Sequence, residues 1–436
     1  MNKKIVSVYG LGYVGLTLSI VLAESGYNVI GIDTDKNKIR SLKKNKSYLH
    51  EKNIDYRIKQ IKKMKLIEFS NTRSTVETNY HIISVGTPIG KNKKPILTSI
   101  NNVLRSIIKN LKVGQCIILR STVPIGFTRK HIVSKIYEKT KFRAGIDYFI
   151  CFAPERTIEG KALEELKSNP QIIGGYSEKC LLAGVAFFNK VSNKIIKVEN
   201  LESAEVAKLI DNTYRDTMFA FSNEIASVCE KFSINAFDVI SACNSDYPRN
   251  NIPSPSPGVG GACLSKDPYI MINSAREKKL SLNIIRSSRI VNDKTLESIA
   301  KKILNRLKYI SSPQILVCGL AFKGHPENSD IRNSTSIDLI NYLKKRKTLI
   351  NISVYDPVLT IKEVKKLKYN YYKLGSLKKK FHCIVFANNH RSYSKFETEN
   401  LFKELKDPYL FCDCWNLFKN TNINTYQKIQ YFGVGF

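Results

Sequence analysis

The residue types best suited to chemistry are concentrated in the segment 258–267, which reads Gly-Val-Gly-Gly-Ala-Cys-Leu-Ser-Lys-Asp. Its glycines let backbone and ligand approach closely, because no Cβ intervenes. Lys266 lies near enough in sequence to Cys263 to favour ionisation of the thiol, and Asp267 is a carboxylate that could take a proton from water. Together these groups are the components of a covalent thioester cycle. The alternative is an ordinary tight loop, since most cysteines are buried and unreactive.

A second chemical motif opens the chain. The segment 10–15, Gly-Leu-Gly-Tyr-Val-Gly, follows a predicted strand and begins a predicted helix, and Asp33 ends the next predicted strand. The glycines permit a tight turn that brings a pyrophosphate to the amino end of the helix, where free N–H groups favour anions. Asp33 suits the ribose hydroxyls and would repel a 2′-phosphate. The motif therefore predicts NAD rather than NADP.

Two further pairs of polar residues have a functional and a structural interpretation. Lys208 and Asn212 are spaced i, i+4 on one face of a predicted helix. They could stabilise an oxyanion or hold a water molecule, or Lys208 could be a surface lysine with a buried stem. Glu155 and Glu159 follow a predicted strand, where one of them could act as a general acid or base. The alternative for both is ordinary surface charge.

A later strand-end glycine turn, Gly319 to Gly324, carries Lys323 and is soon followed by Arg332. A glycine turn with two cations is a suitable cradle for an anionic group. The alternative is a loop with exposed cations. The sequence alone leaves both interpretations open.

Alternating strand and helix patterns predict the fold class that would position these residues. The pattern alternates near the start, becomes helical from about 204 to 232 and from 268 to 307, and alternates again from 314. We predict an α/β protein with two Rossmann-like, doubly wound parallel-sheet domains joined by a central helical domain. Ligands of such sheets bind beyond the carboxyl ends of the strands. The turns after the early strands, at 86–88, 121–124 and 153–155, should therefore line one crevice.

The composition narrows the function classes. The net charge of +33 would suit nucleic acid or an anionic membrane surface, but no nucleic-acid-binding motif accompanies the lysines. We interpret the charge as a lysine-rich surface with some benefit for an anionic substrate. No apolar run approaches the ~20 residues of a membrane span, and no signal peptide is visible. The ten cysteines and six histidines lack zinc spacing. We expect a cytoplasmic protein with no structural metal, no nucleic-acid partner and no membrane insertion.

Taken together, these motifs resemble the UDP-glucose/GDP-mannose dehydrogenase family over nearly the whole chain. The resemblance rests on the opening glycine motif, the segment Ser121-Thr122-Val123-Pro124-Ile125-Gly126, the cysteine loop, and Phe322-Lys323 with Asp330 and Arg332, in the order of the family. It implies an NAD-binding domain at 1–197, a central helical dimerisation domain with the cysteine loop at 198–305, and a UDP-sugar-binding domain at 306–436. It also implies a homodimer or a higher homo-oligomer.

The resemblance further implies the reaction, which is a four-electron oxidation of the C6 alcohol of a UDP-sugar to the uronic acid with two NAD. Cys263 would form the thiohemiacetal and the thioester, and a covalent tether explains why no aldehyde is released. Lys208 and Asn212 would stabilise the oxyanion, and Asp267 would place or activate water. Glu159 would be the base in thioester hydrolysis. The product would supply the synthesis of a surface polysaccharide.

Matching positions also imply which residues line the site. Glu155 and Thr122 would complete the catalytic group. The cofactor would contact Gly10, Gly12, Tyr13, Val14, Gly15, Asp33, Lys38, Thr87, Pro88, Ser121, Thr122 and Arg332. The sugar nucleotide would contact Glu155, Arg156, Lys208, Asn212, Arg249, Gly260, Phe322 and Lys323, with Arg249 reaching the substrate of a partner subunit.

Within the family, Pro154-Glu155-Arg156-Thr157 resembles the branch that acts on UDP-N-acetylhexosamines, especially UDP-N-acetyl-D-mannosamine. Ala262 departs from the histidine common in that branch, and Lys266 is shared with glucose enzymes. UDP-N-acetylglucosamine, UDP-N-acetylgalactosamine and UDP-glucose are therefore the alternative substrates. Alternatives of another class are a basic nucleic-acid-binding protein, suggested only by the charge, and a non-catalytic NAD-binding scaffold. The presence of Cys263 with Lys208, Asn212 and Asp267 argues against a scaffold.

Overall fold

The computed structural model describes residues 4–72, 77–419, 421, 423 and 426–436. The chain divides into two compact units. The first contains residues 1–211 and 269–281, and the second contains residues 212–268 and 282–436. Each unit is built around a mainly parallel sheet, and long helices occupy the middle of the chain. This architecture confirms the predicted α/β class with two Rossmann-like sheets and a helical middle region.

The sheet of the first unit has the strand order β3-β2-β1-β4-β5-β6-β7-β8 among the described residues. Its neighbours are parallel except β6 and β7, which are antiparallel. The strands are β1 (Ile5–Tyr9), β2 (Asn28–Ile32), β3 (Ile67–Ser70), β4 (Tyr80–Ile83), β5 (Cys116–Leu119), β6 (Phe149–Phe152), β7 (Gln171–Gly175) and β8 (Ile195–Val198). The first six in this order have the arrangement of a dinucleotide-binding sheet.

Helices cover both faces of this sheet, and each face has its own apolar core. They are α1 (Tyr13–Glu24), α2 (Lys36–Lys43), α3 (Ile54–Lys63), α4 (Thr98–Ile108), a π-helical turn (Thr128–Val133) continuing into α5 (Ser134–Thr140), α6 (Ala162–Ser168) and α7 (Glu178–Phe188). α1 is buried along nearly its whole length, from Gly15 to Ala23. Its start is therefore fixed by packing as well as by the glycine turn that precedes it.

Four helices occupy the middle of the chain: α8 (Leu201–Lys231), α9 (Ala236–Asn244), α10 (Asp267–Glu277) and α11 (Asn283–Arg306). α8 begins in the first unit and ends in the second. The helical stretch predicted from 268 to 307 consists of two helices, α10 and α11. The chain turns between them at Lys279, which has a φ of 61°, and a residue in the left-handed region ends an α-helix.

The sheet of the second unit has the order β11-β10-β9-β12-β13-β14 among the residues described, and all its neighbours are parallel. Its strands are β9 (Gln314–Cys318), β10 (Asn351–Tyr355), β11 (Asn370–Tyr371), β12 (Phe381–Phe386), β13 (Leu405–Asp413) and β14 (Gln430–Gly433). Its helices are α12 (Thr335–Arg346), α13 (Ile361–Lys366), a 3-10 turn (Arg391–Lys395) and α14 (Thr398–Lys403). In the described part of the chain, no helix is both long and apolar enough to cross a membrane.

A buried polar network joins α8 to α11 within the second unit. Asp216 is fully buried and accepts a hydrogen bond of 2.6 Å from Arg289, and Asn292 donates to the same carboxylate at 2.9 Å. Asn223 donates to Asn292 at 3.0 Å and accepts from the backbone N–H of Ser256 at 2.8 Å. The network therefore extends from the two helices to the loop that leads into the cysteine turn.

Asp216→Ala should destabilise the second unit strongly, because it leaves the buried guanidinium of Arg289 without this carboxylate. Loss of one partner of a buried ion pair costs about 3–5 kcal/mol. Asp293 provides the control, since it contacts the same guanidinium at 2.7 Å with a side chain that is 56% exposed. Asp293→Ala should cost less than about 1 kcal/mol. Urea denaturation compares the two variants, and equal shifts of the midpoint would contradict this account.

Candidate functional site

The glycine turn of the first unit is fixed by close backbone contacts. Gly10 has a φ of 90°, and a Cβ there would lie 2.8 Å from the Val85 side chain. A Cβ on Gly15 would lie 1.8 Å from the Gly10 carbonyl oxygen. By contrast, no atom lies within 4 Å of a Cβ built on Gly12. Gly12 is the N-cap of α1 and makes no side-chain cap, so the amino end of this helix adjoins open space that suits a pyrophosphate.

Asp33 holds this turn from the end of β2. Its carboxylate accepts hydrogen bonds from the backbone N–H of Leu11 at 2.8 Å and of Asp35 at 2.9 Å. The Lys38 ammonium lies 3.6 Å from the same carboxylate. Tyr48 donates its hydroxyl hydrogen to the Leu11 carbonyl oxygen, and burial with the nearby Asp33 raises the pKa of this hydroxyl. The glycine turn, the open helix end and the acid together fit the predicted NAD.

The turns after β4 and β5 are joined by hydrogen bonds. Thr87 donates its hydroxyl to the Thr122 carbonyl oxygen at 2.7 Å, and Ser121 donates to the Val85 carbonyl oxygen at 2.7 Å. The carbonyl oxygen of Pro88 accepts a hydrogen bond from the backbone N–H of Ile96 at 2.7 Å. The structure therefore places the predicted cofactor residues of these two turns side by side at the carboxyl edge of the sheet.

Glu205 anchors the next part of this region and was not predicted as a functional residue. Its carboxylate, which is 1% exposed, accepts hydrogen bonds from the backbone N–H groups of Gly126 and Thr128 and from the Thr128 hydroxyl. Burial raises the pKa of Glu205 to about 7, although these hydrogen bonds lower it. Glu205 precedes Lys208 on α8, so it ties the helix that carries Lys208 to the turn that carries Thr122.

Lys208 lies against the turn after β6. Its ammonium donates to the Glu155 carbonyl oxygen at 2.6 Å, and the residue is 7% exposed. Arg156, predicted to bind substrate, forms an ion pair of 2.7 Å with Asp211 of the same helix. The Glu155 carboxylate accepts from the backbone N–H of Thr157. The turn 154–157 is thus fixed to α8 at two points.

Two residues that sequence reasoning missed hold this turn from behind. Arg120 is 3% exposed and donates to the Gln171 side-chain oxygen at 2.8 Å, while Gln171 donates to the Pro154 carbonyl oxygen at 3.0 Å. Burial lowers the pKa of Arg120 to about 10, although the nearby Glu155 raises it. An arginine directly after an apolar strand is the sequence signal that could have identified this support.

Glu159 lies in the loop after this turn, and a buried carboxylate holds the backbone beside it. Glu51, which is 9% exposed, accepts from the Gly160 N–H at 2.6 Å and from the Ala162 N–H at 3.4 Å. Burial raises the pKa of Glu51, against the effect of these hydrogen bonds. Glu159 itself is half-buried. Glu51 was not predicted, because its partners lie more than a hundred residues away in sequence.

In the second unit, the cysteine turn packs so closely against Phe322 and Asn333 that two of its positions accept only glycine. Gly261 has a φ of 88°, donates its N–H to the Asn333 carbonyl oxygen at 2.9 Å, and leaves only 2.7 Å between a built Cβ and the Phe322 ring. A Cβ on Gly260 would lie 2.4 Å from the Asn333 carbonyl oxygen. The structure therefore brings the predicted substrate residues Gly260 and Phe322 to the turn that presents Cys263.

Asp267 is the centre of the polar group beside Cys263. It is fully buried, and its carboxylate accepts hydrogen bonds of 2.5 Å from both the Asn212 amide and the Lys266 ammonium. Its backbone N–H donates to the Cys263 carbonyl oxygen at 2.9 Å. The Lys266 ammonium, expected near the thiol, is thus paired with a carboxylate. Lys208 and Asn212 lie one turn apart on α8.

Cys263 differs from most cysteines of the chain by its exposure. Of the cysteines in the described residues, Cys243 and Cys263 are exposed and the others are buried. Cys412 and Cys414 have sulfur atoms 3.8 Å apart and are not bonded. Within the described ranges, no three His, Cys, Asp or Glu side chains cluster as a metal site requires.

The remaining predicted residues lie in other loops of the second unit. Arg332 donates to both oxygens of Asp330 at 2.5 to 2.9 Å. The Lys323 ammonium lies 5.3 Å from the centroid of the adjacent Phe322 ring. Arg249 is exposed in the loop after α9 and stacks over Tyr247. The roles assigned to these residues stay predictions.

The chain matches family models along most of its length. The NAD-binding domain of the UDP-glucose/GDP-mannose dehydrogenase family matches residues 4–192, its central domain matches 202–294, and its UDP-binding domain matches 316–420. The three models follow one another in the order that the motifs predicted.

Individual proteins are also similar to it. The chain is 32% identical to a UDP-N-acetyl-D-mannosamine dehydrogenase of Methanococcus vannielii, with 98% of this chain and 95% of that protein covered. A protein of the same name from Pyrococcus horikoshii is 30% identical, with 92% and 93% covered. The solved structure of a UDP-D-ManNAc dehydrogenase from Pyrococcus horikoshii superposes with a TM-score of 0.89 at 28% identity, covering 99% of each chain.

Gly12→Ala and Gly15→Ala should separate the two functions of the glycine turn. Gly15→Ala drives a Cβ into the Gly10 carbonyl oxygen, so it should lower the melting temperature and abolish NAD binding. Gly12→Ala meets no atom of the protein, so it should leave the melting temperature unchanged while weakening NAD binding through contact with the pyrophosphate. Calorimetry and thermal melting measure both effects. Unchanged NAD affinity in Gly12→Ala would place the cofactor elsewhere.

Proposed function

Because the chain belongs to the UDP-glucose/GDP-mannose dehydrogenase family, and is thus an NAD-dependent nucleotide-sugar dehydrogenase, we propose that it oxidises UDP-N-acetyl-D-mannosamine at C6 to the uronic acid. The observation that carries the proposal is the exposed Cys263, presented by a glycine turn beside the buried carboxylate of Asp267 and its partner Asn212. A thiol in this setting can hold the sugar covalently between two oxidations.

NAD, when bound, accepts a hydride in each of the two oxidations. The first oxidation converts the C6 alcohol to an aldehyde with loss of a hydride and a proton. The Cys263 thiolate adds to the aldehyde carbon, the C6 oxygen takes up a proton, and a thiohemiacetal results. The second oxidation removes a hydride from C6 and the proton from its oxygen, which leaves a thioester. Water then attacks the thioester carbonyl, the carbon–sulfur bond breaks, and the carboxylate and the free thiol result. We assign Glu159 as the base that takes the proton from this water, with Asp267 helping to place it.

Negative charge develops on the C6 oxygen during each addition step. We assign its stabilisation to Lys208 and Asn212, because both are donors on one face of α8. The Lys208 ammonium is held by the Glu155 carbonyl oxygen, so its position is set before substrate binds. Glu155 and Thr122 would line the same site.

The sugar nucleotide would be held mainly by the second unit. We assign Phe322, Lys323 and Gly260 to the sugar nucleotide and Arg332 to the cofactor. Arg249 is proposed to reach the substrate of a partner subunit. The proposed domain boundaries, 1–197, 198–305 and 306–436, are supported by the gaps between the matched ranges, which fall at 193–201 and 295–315.

The choice of sugar is supported by two features. The relatives described above are named for UDP-N-acetyl-D-mannosamine, and the turn 154–157 carries Arg156 and Thr157. Because Arg156 is paired with Asp211, it shapes the turn in a way that an apolar residue could not. We also propose a cytoplasmic location, because the ten cysteines, all of them among the described residues, form no disulfide and therefore suit a reducing compartment.

NADH formation against a panel of UDP-sugars tests this function directly. Two NADH per sugar with UDP-N-acetyl-D-mannosamine alone is the expected result. Two NADH with UDP-N-acetylglucosamine, UDP-N-acetylgalactosamine or UDP-glucose would keep the reaction and overturn the substrate. No turnover on any sugar, with NAD still bound, would favour a non-catalytic scaffold.

Cys263→Ala should abolish uronate formation while leaving NAD affinity unchanged, because the thiol is needed only for the covalent steps. Cys243→Ala is the matched control, since Cys243 is the other exposed cysteine in the described residues, and it should retain full turnover. Mass spectrometry of the stalled wild-type enzyme should locate the acyl group on Cys263. Normal uronate output from Cys263→Ala would refute the thioester mechanism.

We propose that the enzyme is a homodimer that pairs through α8. Three large apolar side chains lie exposed along this helix in the second unit, each seven residues from the next. They are Tyr214 (61% exposed), Phe221 (47%) and Val228 (49%), and the exposed Phe232 (72%) directly follows the end of the helix. A heptad-spaced apolar stripe is typical of a helix that packs against a partner.

Phe221→Lys with Val228→Lys should convert the dimer to a monomer, because two charges would enter the centre of the apolar stripe. Val113→Lys is the control, since Val113 is 68% exposed in the first unit and lies outside α8. Sedimentation velocity measures the mass of each variant. A dimer that persists in the double variant would exclude this interface.

A further inference from the structure

One edge of the C-terminal sheet is strongly basic. β9 to β13 are parallel and in near register at their starts, so the residues that precede them meet at the amino edge of the sheet. We define the lysine edge as the segments 308–309, 344–349, 366–368, 377–380 and 403–406. It carries twelve basic residues: Lys308, Lys344, Lys345, Arg346, Lys347, Lys366, Lys368, Lys378, Lys379, Lys380, Lys403 and Lys406.

Hydrogen bonds and electrostatics show that several of these segments are neighbours. The Lys347 ammonium donates to the Leu307 carbonyl oxygen at 2.9 Å, and the Ser312 hydroxyl donates to the Leu349 carbonyl oxygen at 3.2 Å. Partial burial of its ammonium, which donates to the Ser353 hydroxyl at 3.3 Å, and the nearby Lys406 lower the pKa of Lys379, although the side chain as a whole is exposed. Lysines from separate connections are thus close enough to repel one another.

Helix dipoles account for only part of this charge. α12 ends at the lysine edge with Lys344, Lys345 and Arg346 in its last turn, where cations are favourable. Lys378 to Lys380 belong to no helix, and all three are exposed. The acid within these segments, Glu404, is fully buried, and the exposed Asp407 that follows Lys406 offsets one of the twelve positive charges. The exposed surface of the edge is therefore a concentrated positive field.

Large apolar side chains project among these lysines. Tyr309 is 88% exposed, Leu349 is 67% exposed and Leu377 is 52% exposed. The backbone N–H of Leu377 donates to the buried Glu404 carboxylate at 2.9 Å, and its φ is 56°. The protein therefore holds Leu377 in the left-handed region, which a leucine rarely adopts, while its side chain faces solvent.

We propose that the lysine edge docks the enzyme on a membrane surface rich in acidic lipid headgroups. Lysines near such a surface are attracted by its negative potential, and side chains such as Tyr309 and Leu349 can enter the boundary between headgroups and acyl chains. Nucleic acid fits less well, because the twelve basic residues include one arginine and the exposed leucines have no role in phosphate contact. Phe322 and Lys323 lie beyond the opposite end of β9, so docking leaves them accessible.

Co-sedimentation of the full chain with lipid vesicles tests the proposal. The protein should pellet with vesicles of phosphatidylcholine and phosphatidylglycerol, stay in solution with phosphatidylcholine alone, and be released by about 1 M salt. Lys378→Glu with Lys380→Glu should lower the partition coefficient by at least about ten-fold. Lys59→Glu with Lys63→Glu, two exposed lysines of α3 with the same change of charge, should bind as the wild type does.

Tyr309→Ser with Leu349→Ser tests the apolar contribution. It should weaken vesicle binding at constant charge and leave NADH formation in solution unchanged. If Lys378→Glu with Lys380→Glu and Lys59→Glu with Lys63→Glu lowered vesicle binding equally, the attraction would come from the net charge of the whole protein, and the proposal would be wrong. The absence of any binding to acidic vesicles would also overturn it. A DNA duplex can be compared with the acidic vesicles in the same way. If the protein bound the duplex more tightly than the vesicles, and Tyr309→Ser with Leu349→Ser left that binding unaltered, the partner of the lysine edge would be nucleic acid and not a membrane.

Discussion

A buried ammonium imposes the strictest condition on the first unit. Lys208 is 7% exposed, and a charge removed from water must be compensated by hydrogen bonds. The Glu155 carbonyl oxygen provides one of them, so the chain after β6 must turn where it does. Gln171, at the start of β7, holds the same turn from behind. The antiparallel pairing of β6 with β7 is part of the arrangement that brings these groups together.

The two sheets solve one local problem in the same way. Gly10 and Gly319 directly follow β1 and β9, the first strand of each sheet in chain order, with φ values of 90° and 96°. The N–H of the following residue donates to a carboxylate at the end of the neighbouring strand. In the first unit Leu11 donates to Asp33 at 2.8 Å, and in the second Leu320 donates to Asp356 at 2.7 Å. Because the geometry is repeated in two sheets, we infer that the acid has a structural role in stabilising the turn, which is independent of any ligand that binds there.

The sequence predicted what depends on short spacing and missed what depends on distant partners. The glycine turn with Asp33, the Lys208–Asn212 spacing and the cysteine turn are local patterns, and the fold class follows from strand and helix periodicity. Glu205 and Glu51 could not be found in this way, because the backbone groups that they accept from lie 77 and 109 residues away. A buried acid has the same letter in the sequence as a surface acid, and only the folded chain distinguishes them.

The turn after β1 also has a consequence for affinity. The Leu11 N–H and carbonyl oxygen are both engaged by side chains of the protein, Asp33 and Tyr48. A loop that is already immobile loses little conformational freedom when a ligand arrives. The dinucleotide should therefore bind to a turn that is already in its bound conformation. Ordering of this turn should then contribute little to the heat-capacity change of binding. A substitution at Tyr48 would therefore weaken dinucleotide affinity by making the turn more mobile, although no residue that touches the ligand had changed.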